Sequence, residues 1–228
     1  MGLLSDYLER KTSKLSLPDA KNALTGRDQA IITQCMHEVK KVSIFPPFDE
    51  KYKTLVLAMG CFWGAERLMW QIPGVIVTAV GYGGGTTKNP TYEEVCSGAT
   101  GHSEAVLVVY DPEKVTLDSL VKTFFEGHDP TQGYRQGNDI GTQYRSLIMY
   151  DSKEELDIIN SIRDSYEQSL QKAGFPSITT EILPRSDFFY AEEYHQQYLV
   201  KNPMGYCGIG GTGVACQVGL VPFMKETS

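Results

Sequence analysis

The chain has 228 residues, 41% of them apolar and 21% charged, with a formal net charge of −7. That length fits one domain, or one domain with an extension, and the apolar share is enough for a buried core. The acidic balance argues against a nucleic-acid surface, which needs a basic face, and no stretch is long and apolar enough for a bilayer helix. The opening Met1-Gly2-Leu3-Leu4-Ser5-Asp6 lacks the basic and apolar regions of a secretory signal, and Asp6, Glu9, Asp19 and Asp28 are acids that transit peptides avoid. The expected location is cytoplasmic, with a mitochondrial or other organellar form from another start site as the alternative. The five cysteines (Cys35, Cys61, Cys96, Cys207, Cys216) are an odd set. They argue against a disulfide framework and leave buried or redox-active thiols.

Residues 1–50 are polar and weakly patterned and end in Phe45-Pro46-Pro47-Phe48. The prolines favour an extended strap, so this region reads as an N-terminal arm on a main domain of residues 51–228, with a short helix expected near 28–41. The main domain opens with a buried strand, Lys53–Met59, bounded by Gly60. A helix follows, with Ala65, Leu68, Met69 and Ile72 as its apolar stripe and Pro73-Gly74 as its stop. A second strand is expected over 75–80, and Gly81-Tyr82-Gly83-Gly84-Gly85 reads as a mobile loop. Ser103–Tyr110 alternates and is β-rich, a third strand closed by Asp111-Pro112. Helices are expected over 117–125 and Lys153–Lys172, the latter with an acidic first turn and Gly174 past its end. Strands are expected over 144–150 and 178–183, and a last helix over 187–200. The tail from Gly205 is glycine-rich and should be irregular and mobile. Strands and helices in mixed order predict an α/β or α+β fold.

Cys61 stands in Gly60-Cys61-Phe62-Trp63-Gly64, where a strand gives way to a helix. Free backbone N–H groups and the helix dipole at such a junction lower a thiol's pKa and raise its reactive thiolate fraction. A free cysteine is more often a small packing group, but the flanking residues favour a reactive one. The glycines permit close backbone approach, and two adjacent rings at a helix start cannot both face the core, so one lines a pocket. Glu104 shares a strand face with Val106, Val108 and Tyr110. Buried there, it would hold its proton and serve as a general acid; turned outward, it would be an ordinary strand-end glutamate. His102 faces the other way. Tyr92 and Tyr144 lie at loop junctions where a hydroxyl can meet a substrate oxygen, although most of the thirteen tyrosines must be packing residues. Gly208, Gly210 and Gly213 match a dinucleotide motif only formally, since no strand precedes them. Cys207 and Cys216 are too far apart in sequence for a zinc knuckle, so no metal is expected. Two cysteines joined by flexible glycines suit a segment that passes a disulfide along.

These motifs resemble the A-type methionine sulfoxide reductases. The likeness rests on Gly60-Cys61-Phe62-Trp63-Gly64, Asn89-Pro90-Thr91-Tyr92, Gly101-His102-Ser103-Glu104-Ala105 and Gln136-Gly137-Asn138-Asp139. Gly141-Thr142-Gln143-Tyr144-Arg145-Ser146, Tyr194-His195-Gln196-Gln197-Tyr198-Leu199 and Gly205-Tyr206-Cys207-Gly208 complete it, from about Lys53 to the end of the chain. The resemblance implies an α+β fold, a ferredoxin-like plait around a mixed sheet. It implies reduction of methionine S-sulfoxide, free or in oxidised proteins, as a repair reaction. Cys61 would be the nucleophile, Phe62 and Trp63 would hold the methyl group, and Glu104 would protonate the departing oxygen with Tyr92, Asp139 and Tyr144 polarising it. A sulfenic acid on Cys61 would pass to Cys207 and then to a Cys207–Cys216 disulfide, within a redox tail of residues 205–228. Thioredoxin, or dithiothreitol in its place, would reset the enzyme. No bound cofactor, nucleic-acid or membrane partner is implied, and a monomer is expected. Cys35 and Cys96 match no catalytic role and are expected to be packing thiols. Rival readings are a thiol peroxidase, for which the paired aromatics have no use, and a cysteine hydrolase, which needs a base from His102, His128 or His195. A non-enzymatic binding module would leave every thiol unexplained.

Overall fold

Leu55, Leu57 and Met59 of strand β1 (Lys53–Met59) join one apolar cluster, and Val56 and Ala58 join another. A strand buried on both faces needs two covers, and the chain supplies them differently. In the computed structural model, which describes residues 15–19 and 21–217, β1 leads into α1 (Phe62–Trp70), β2 (Val75–Gly83), α2 (Tyr92–Cys96) and β3 (Ser103–Tyr110). There follow α3 (Leu117–Gly127), β4 (Arg135–Gln136), β5 (Asp139–Ile140), a 3-10 turn (Thr142–Tyr144) and β6 (Ser146–Tyr150). The last elements are α4 (Lys153–Lys172), β7 (Glu181–Pro184), β8 (Phe189–Tyr190) and α5 (Tyr198–Lys201). Expectations for residues 1–14 and for the end of the tail, 218–228, lie outside the described residues.

One sheet runs in the order β7-β6-β1-β3-β2-β8, antiparallel except for the parallel β6–β7 pair. The fold is therefore α+β with a six-stranded mixed sheet. Helices α1, α3 and α4 cover one face, through Met69, Leu120, Phe124, Ile159 and Tyr166 among others. The arm covers the other, with Ile44 fully buried against Val56, Val77 and Leu147, and Ile32, Phe45 and Phe48 packed around it. No helix among the described residues is long and apolar enough to cross a membrane.

Four sequence expectations need correction. The arm forms no helix over 28–41: Lys41 has φ of 57°, and His37 Nδ1 accepts hydrogen bonds from the Val39 and Lys40 N–H groups, which makes a turn. Gly81-Tyr82-Gly83 belongs to β2 rather than to a loop. A side chain at Gly81 would meet the Phe189 carbonyl and the Phe188 ring, so this glycine serves close strand packing. The expected helix over 187–200 shrinks to Tyr198–Lys201. Gln196 there bonds like a strand residue, its amide bridging the Val80 N–H and C=O and reaching the Ala191 carbonyl, while Gln197 is left-handed. Tyr144 lies in the 3-10 turn, and β6 starts two residues later, at Ser146.

Candidate active site

Because β3 runs antiparallel to β1, the start of β3 lies at the end of β1. That places Glu104 beside the Cys61 turn, with Tyr82 of β2 as its strand partner. Gly60 allows the turn in two ways: its φ is 92°, and the Gln136 side chain packs where a Cβ would stand. Cys61 is the residue before α1, 7% exposed, and its side chain makes no helix cap.

Glu104 is 1% exposed and its Oε2 accepts the Phe62 N–H at 3.0 Å, the amide that follows Cys61. The inward reading of this residue holds. Burial pushes its carboxyl up to about 8, against the opposing pull of the Phe62 N–H and with help from Asp139. The expected lowering of the Cys61 thiol does not appear in this state. Burial, and then the Glu104 charge, push it up, although the Trp63 and Gly64 N–H groups pull it down as the helix start should. Desolvation outweighs the helix terminus here.

An aromatic cage stands beside the thiol. Phe62 is fully buried and Trp63 is half-buried, and both rings pack against the helix-side core, with centroids 6.3 Å apart. Tyr92 stacks on Phe62 with centroids 6.3 Å apart, and Trp63 stacks on Tyr198 at 3.8 Å. Trp63 Nε1 donates to His195 Nδ1 at 3.1 Å. This puts the proton on His195 Nε2, which is buried and has no hydrogen-bond partner among the described residues. Tyr92 opens α2, whose N-terminus is closed by the Thr91–Glu94 capping box, and its N–H donates to Glu192. Burial and then the Glu104 charge keep the Tyr92 and Tyr144 phenols protonated. Asp139 is half-buried, accepts the Tyr206 hydroxyl at 3.2 Å, and is raised by burial.

Cys207 lies against the first turn of α1. Its Sγ is close to Gly64, where a Cβ would come within 3.1 Å, and it accepts from Arg67 Nη2 at 2.9 Å. Cys216 is different: it is buried in the helix-side core, with its N–H on Glu126 and its Sγ facing the Ile162 carbonyl. The described part of the tail, residues 205–217, forms no helix or strand, and the Tyr166 hydroxyl ties it down at Thr212 and Val214. All five cysteines are free thiols. Cys35, itself in the arm, packs against the sheet-side cluster, and Cys96 shares a hydrogen bond with Tyr92.

The hydrolase reading fails on geometry. His102 is committed to the Thr87 carbonyl and the Gly85 N–H, and His128 to Phe124 and Ser146. His195 spends Nδ1 on Trp63. Burial first of all lowers all three to about 4, so they are neutral. Several residues around the site carried no separate signal in the sequence. Arg145, 2% exposed, bonds Glu181 and the carbonyls of Gly84, Gly101 and Thr142, joining the loops that carry the site. Glu192 receives the Tyr82 hydroxyl and the Tyr92 N–H, and Glu66 is buried one turn along α1. A buried carboxylate looks like a surface one in a sequence, because packing decides its surroundings: Glu192 and Glu66 meet partners as far as 110 and 131 residues away.

Known proteins resemble this chain over most of its length. The family model for peptide methionine sulfoxide reductase matches residues 53–217. A peptide methionine sulfoxide reductase MsrA of Azorhizobium caulinodans is 56% identical over 206 residues, 90% of this chain and 94% of its own. One from Nostoc is 54% identical over 207 residues, 91% of this chain and 93% of its own. Such matches are longer than the chain from Lys53 onward and so take in part of the arm. Among solved structures, methionine sulfoxide reductase A of Corynebacterium diphtheriae superimposes with a TM-score of 0.77 at 44% identity, covering 90% of this chain and 100% of its own. Reduced Mxr1 of Saccharomyces cerevisiae does so with 0.65 at 39%, covering 71% and 92%. A buried thiol, a buried carboxyl with a raised pKa and a cluster of aromatic rings are thus found in a chain that belongs to the A-type peptide methionine sulfoxide reductase family.

Proposed function

We propose that the chain performs its family's reaction, reduction of methionine S-sulfoxide in proteins or free, with Cys61 as nucleophile and Glu104 managing the protons. The observation that carries this is the buried Glu104, raised to about 8 and bonded to the amide that follows Cys61. A sulfoxide oxygen leaves only once protonated. Glu104, an acid at neutral pH, protonates it and then takes up the proton that the Cys61 thiol releases as its sulfur attacks. The substrate's S–O bond breaks and an S–O bond forms on Cys61, so methionine is released and Cys61 becomes a sulfenic acid. The high resting pKa of both groups suits this exchange, in which one proton serves two sites.

Phe62 and Trp63 hold the methyl group, and Tyr92, Asp139 and Tyr144 hold the oxygen. Cys207, against α1, attacks the sulfenic acid, expels water and forms a disulfide with Cys61. Cys216 then attacks Cys207, which requires the 212–216 segment to leave its anchorage on Tyr166 and Glu126. A dithiol protein of the thioredoxin kind reduces the Cys207–Cys216 disulfide. The odd set of five cysteines supports a reducing, cytoplasmic setting. The order β6-β1-β3-β2, wound through α1 and α3, supports the ferredoxin-like plait, and residues 51–228 form a catalytic unit, monomeric, on which the arm is strapped.

Incubation with methionine S-sulfoxide and dithiothreitol, with methionine quantified, tests the reading. The expected result is turnover of the S epimer, none of the R epimer, and none by Cys61→Ser. Wild-type activity in Cys61→Ser would falsify the mechanism.

A further inference from the structure

Glu66 is fully buried in the second turn of α1, and the reaction gives it no part. A buried carboxylate needs several donors, and it has three. Its Oε1 accepts from Thr78 Oγ1 at 3.0 Å and from Gln197 Nε2 at 2.6 Å, and its Oε2 accepts the Gln197 N–H at 2.9 Å. Gln197 thus gives both its backbone and its side chain to one carboxylate, and it does so at φ 46° and ψ 42°, a left-handed conformation that disfavours glutamine. Two residues earlier, His195 accepts the Trp63 indole N–H; one residue later, Tyr198 stacks on the Trp63 ring. The strained residue therefore lies between the two groups that hold Trp63.

The network continues into the arm. Since Thr78 spends its proton on Glu66, its hydroxyl accepts from His37 Nε2 at 3.0 Å. His37 Nδ1 accepts from Val39 and Lys40, which settles the same tautomer. The Glu38 N–H donates to Gln197 Oε1 at 3.1 Å. The arm meets the network at both ends, behind Glu66 and at the Gln197 amide.

We propose that Glu66 is a positioning residue for the methyl pocket: it holds Gln197 in its left-handed turn, which fixes His195 and Tyr198 and through them the Trp63 ring, and His37 and Glu38 of the arm complete this support. The proposal rests on Trp63 being a wall of the methyl pocket.

Three full-length variants separate the two ideas: Trp63→Phe, Glu66→Gln and Thr78→Val. Each is assayed with methionine sulfoxide and its ethyl homologue under dithiothreitol, and Cys61 alkylation by iodoacetamide, read by mass spectrometry, reports the nucleophile without the pocket. Trp63→Phe is expected to lower the methyl-over-ethyl preference in kcat/KM about tenfold, within the range that one methylene commands. Glu66→Gln is expected to lower it about threefold to tenfold, mainly through KM, and Thr78→Val about twofold, with Cys61 alkylation within about twofold of wild type in both. If Trp63→Phe loses the preference while the other two keep wild-type KM and preference, Glu66 has no positioning role and the pocket reading survives. If Trp63→Phe keeps the preference, the pocket reading falls and takes the proposal with it. Should Glu66→Gln not fold, Thr78→Val decides alone.

Discussion

Glu104 shows how burial changes the chemistry of a common side chain. Its carboxyl retains a proton up to about 8, where an exposed glutamate has lost it near 4.5. The rate of methionine formation in a single turnover should therefore fall as pH rises through about 8, because the acid that protonates the sulfoxide oxygen disappears. Glu104→Gln should lack this limb and be slower by roughly 10²–10⁴ at neutral pH. A pH–rate profile that stays flat to pH 10 in the wild type would remove Glu104 from the role. The same shift carries a stability consequence of definite sign. The native state binds this proton more tightly than the unfolded chain, so the contribution is full below about 4.5 and is lost as pH rises through about 8. Cys61 itself was legible from its neighbours in sequence. Its resting protonation was not, because the helix start that lowers a thiol is visible locally, whereas the burial that overrides it, joined by the charge of Glu104 on β3, is set by tertiary packing.

At the scale of elements, the regular pieces were legible where apolar periodicity was strong. Lys153–Lys172 and Ser103–Tyr110 form over the expected residues. Two of the errors, in the arm and over 187–200, fall where side chains replace backbone partners. The 187–200 segment has helical composition, but Gln196, Gln197 and Glu192 carry its hydrogen bonds to β2 and α1 instead. The glycine-rich tail shows the opposite case, since composition suggested freedom and the fold pins Cys216 in the core. The two tail cysteines should accordingly differ in ease of reaction. Cys207→Ala should still release about one methionine per enzyme in a single turnover, because the first step needs only Cys61, and should lose cycling supported by thioredoxin. Undiminished cycling in that variant, followed by thioredoxin oxidation, removes Cys207 from the relay.

For the whole molecule, the arm matters more than its polar sequence suggests. It covers a sheet face whose strands alternate apolar residues toward it, and Ile44 is its fully buried contact. Ile44→Ala should cost about 2–5 kcal/mol of stability by the usual large-to-small core scale, measurable by urea unfolding. A change below about 0.5 kcal/mol, the level of an ordinary surface substitution, would mean that the arm is not part of the cooperative unit. The arm also reaches the network behind Trp63, so it contributes to the site's support as well as to the core.

Local chemistry was enough to mark Cys61 between its glycines, the ring pair beside it, the strand face carrying Glu104, and the order of most strands and helices. These depend on neighbours within a few residues, and a sequence displays them directly. Three things came only from the tertiary structure: that Glu104 faces inward and keeps its proton, that Cys207 and Cys216 occupy unlike environments, and that Glu66, Arg145, Glu192 and the arm brace the site. Each depends on contacts between segments distant in the chain, where desolvation and hydrogen-bond partners are set by packing and no local pattern records them.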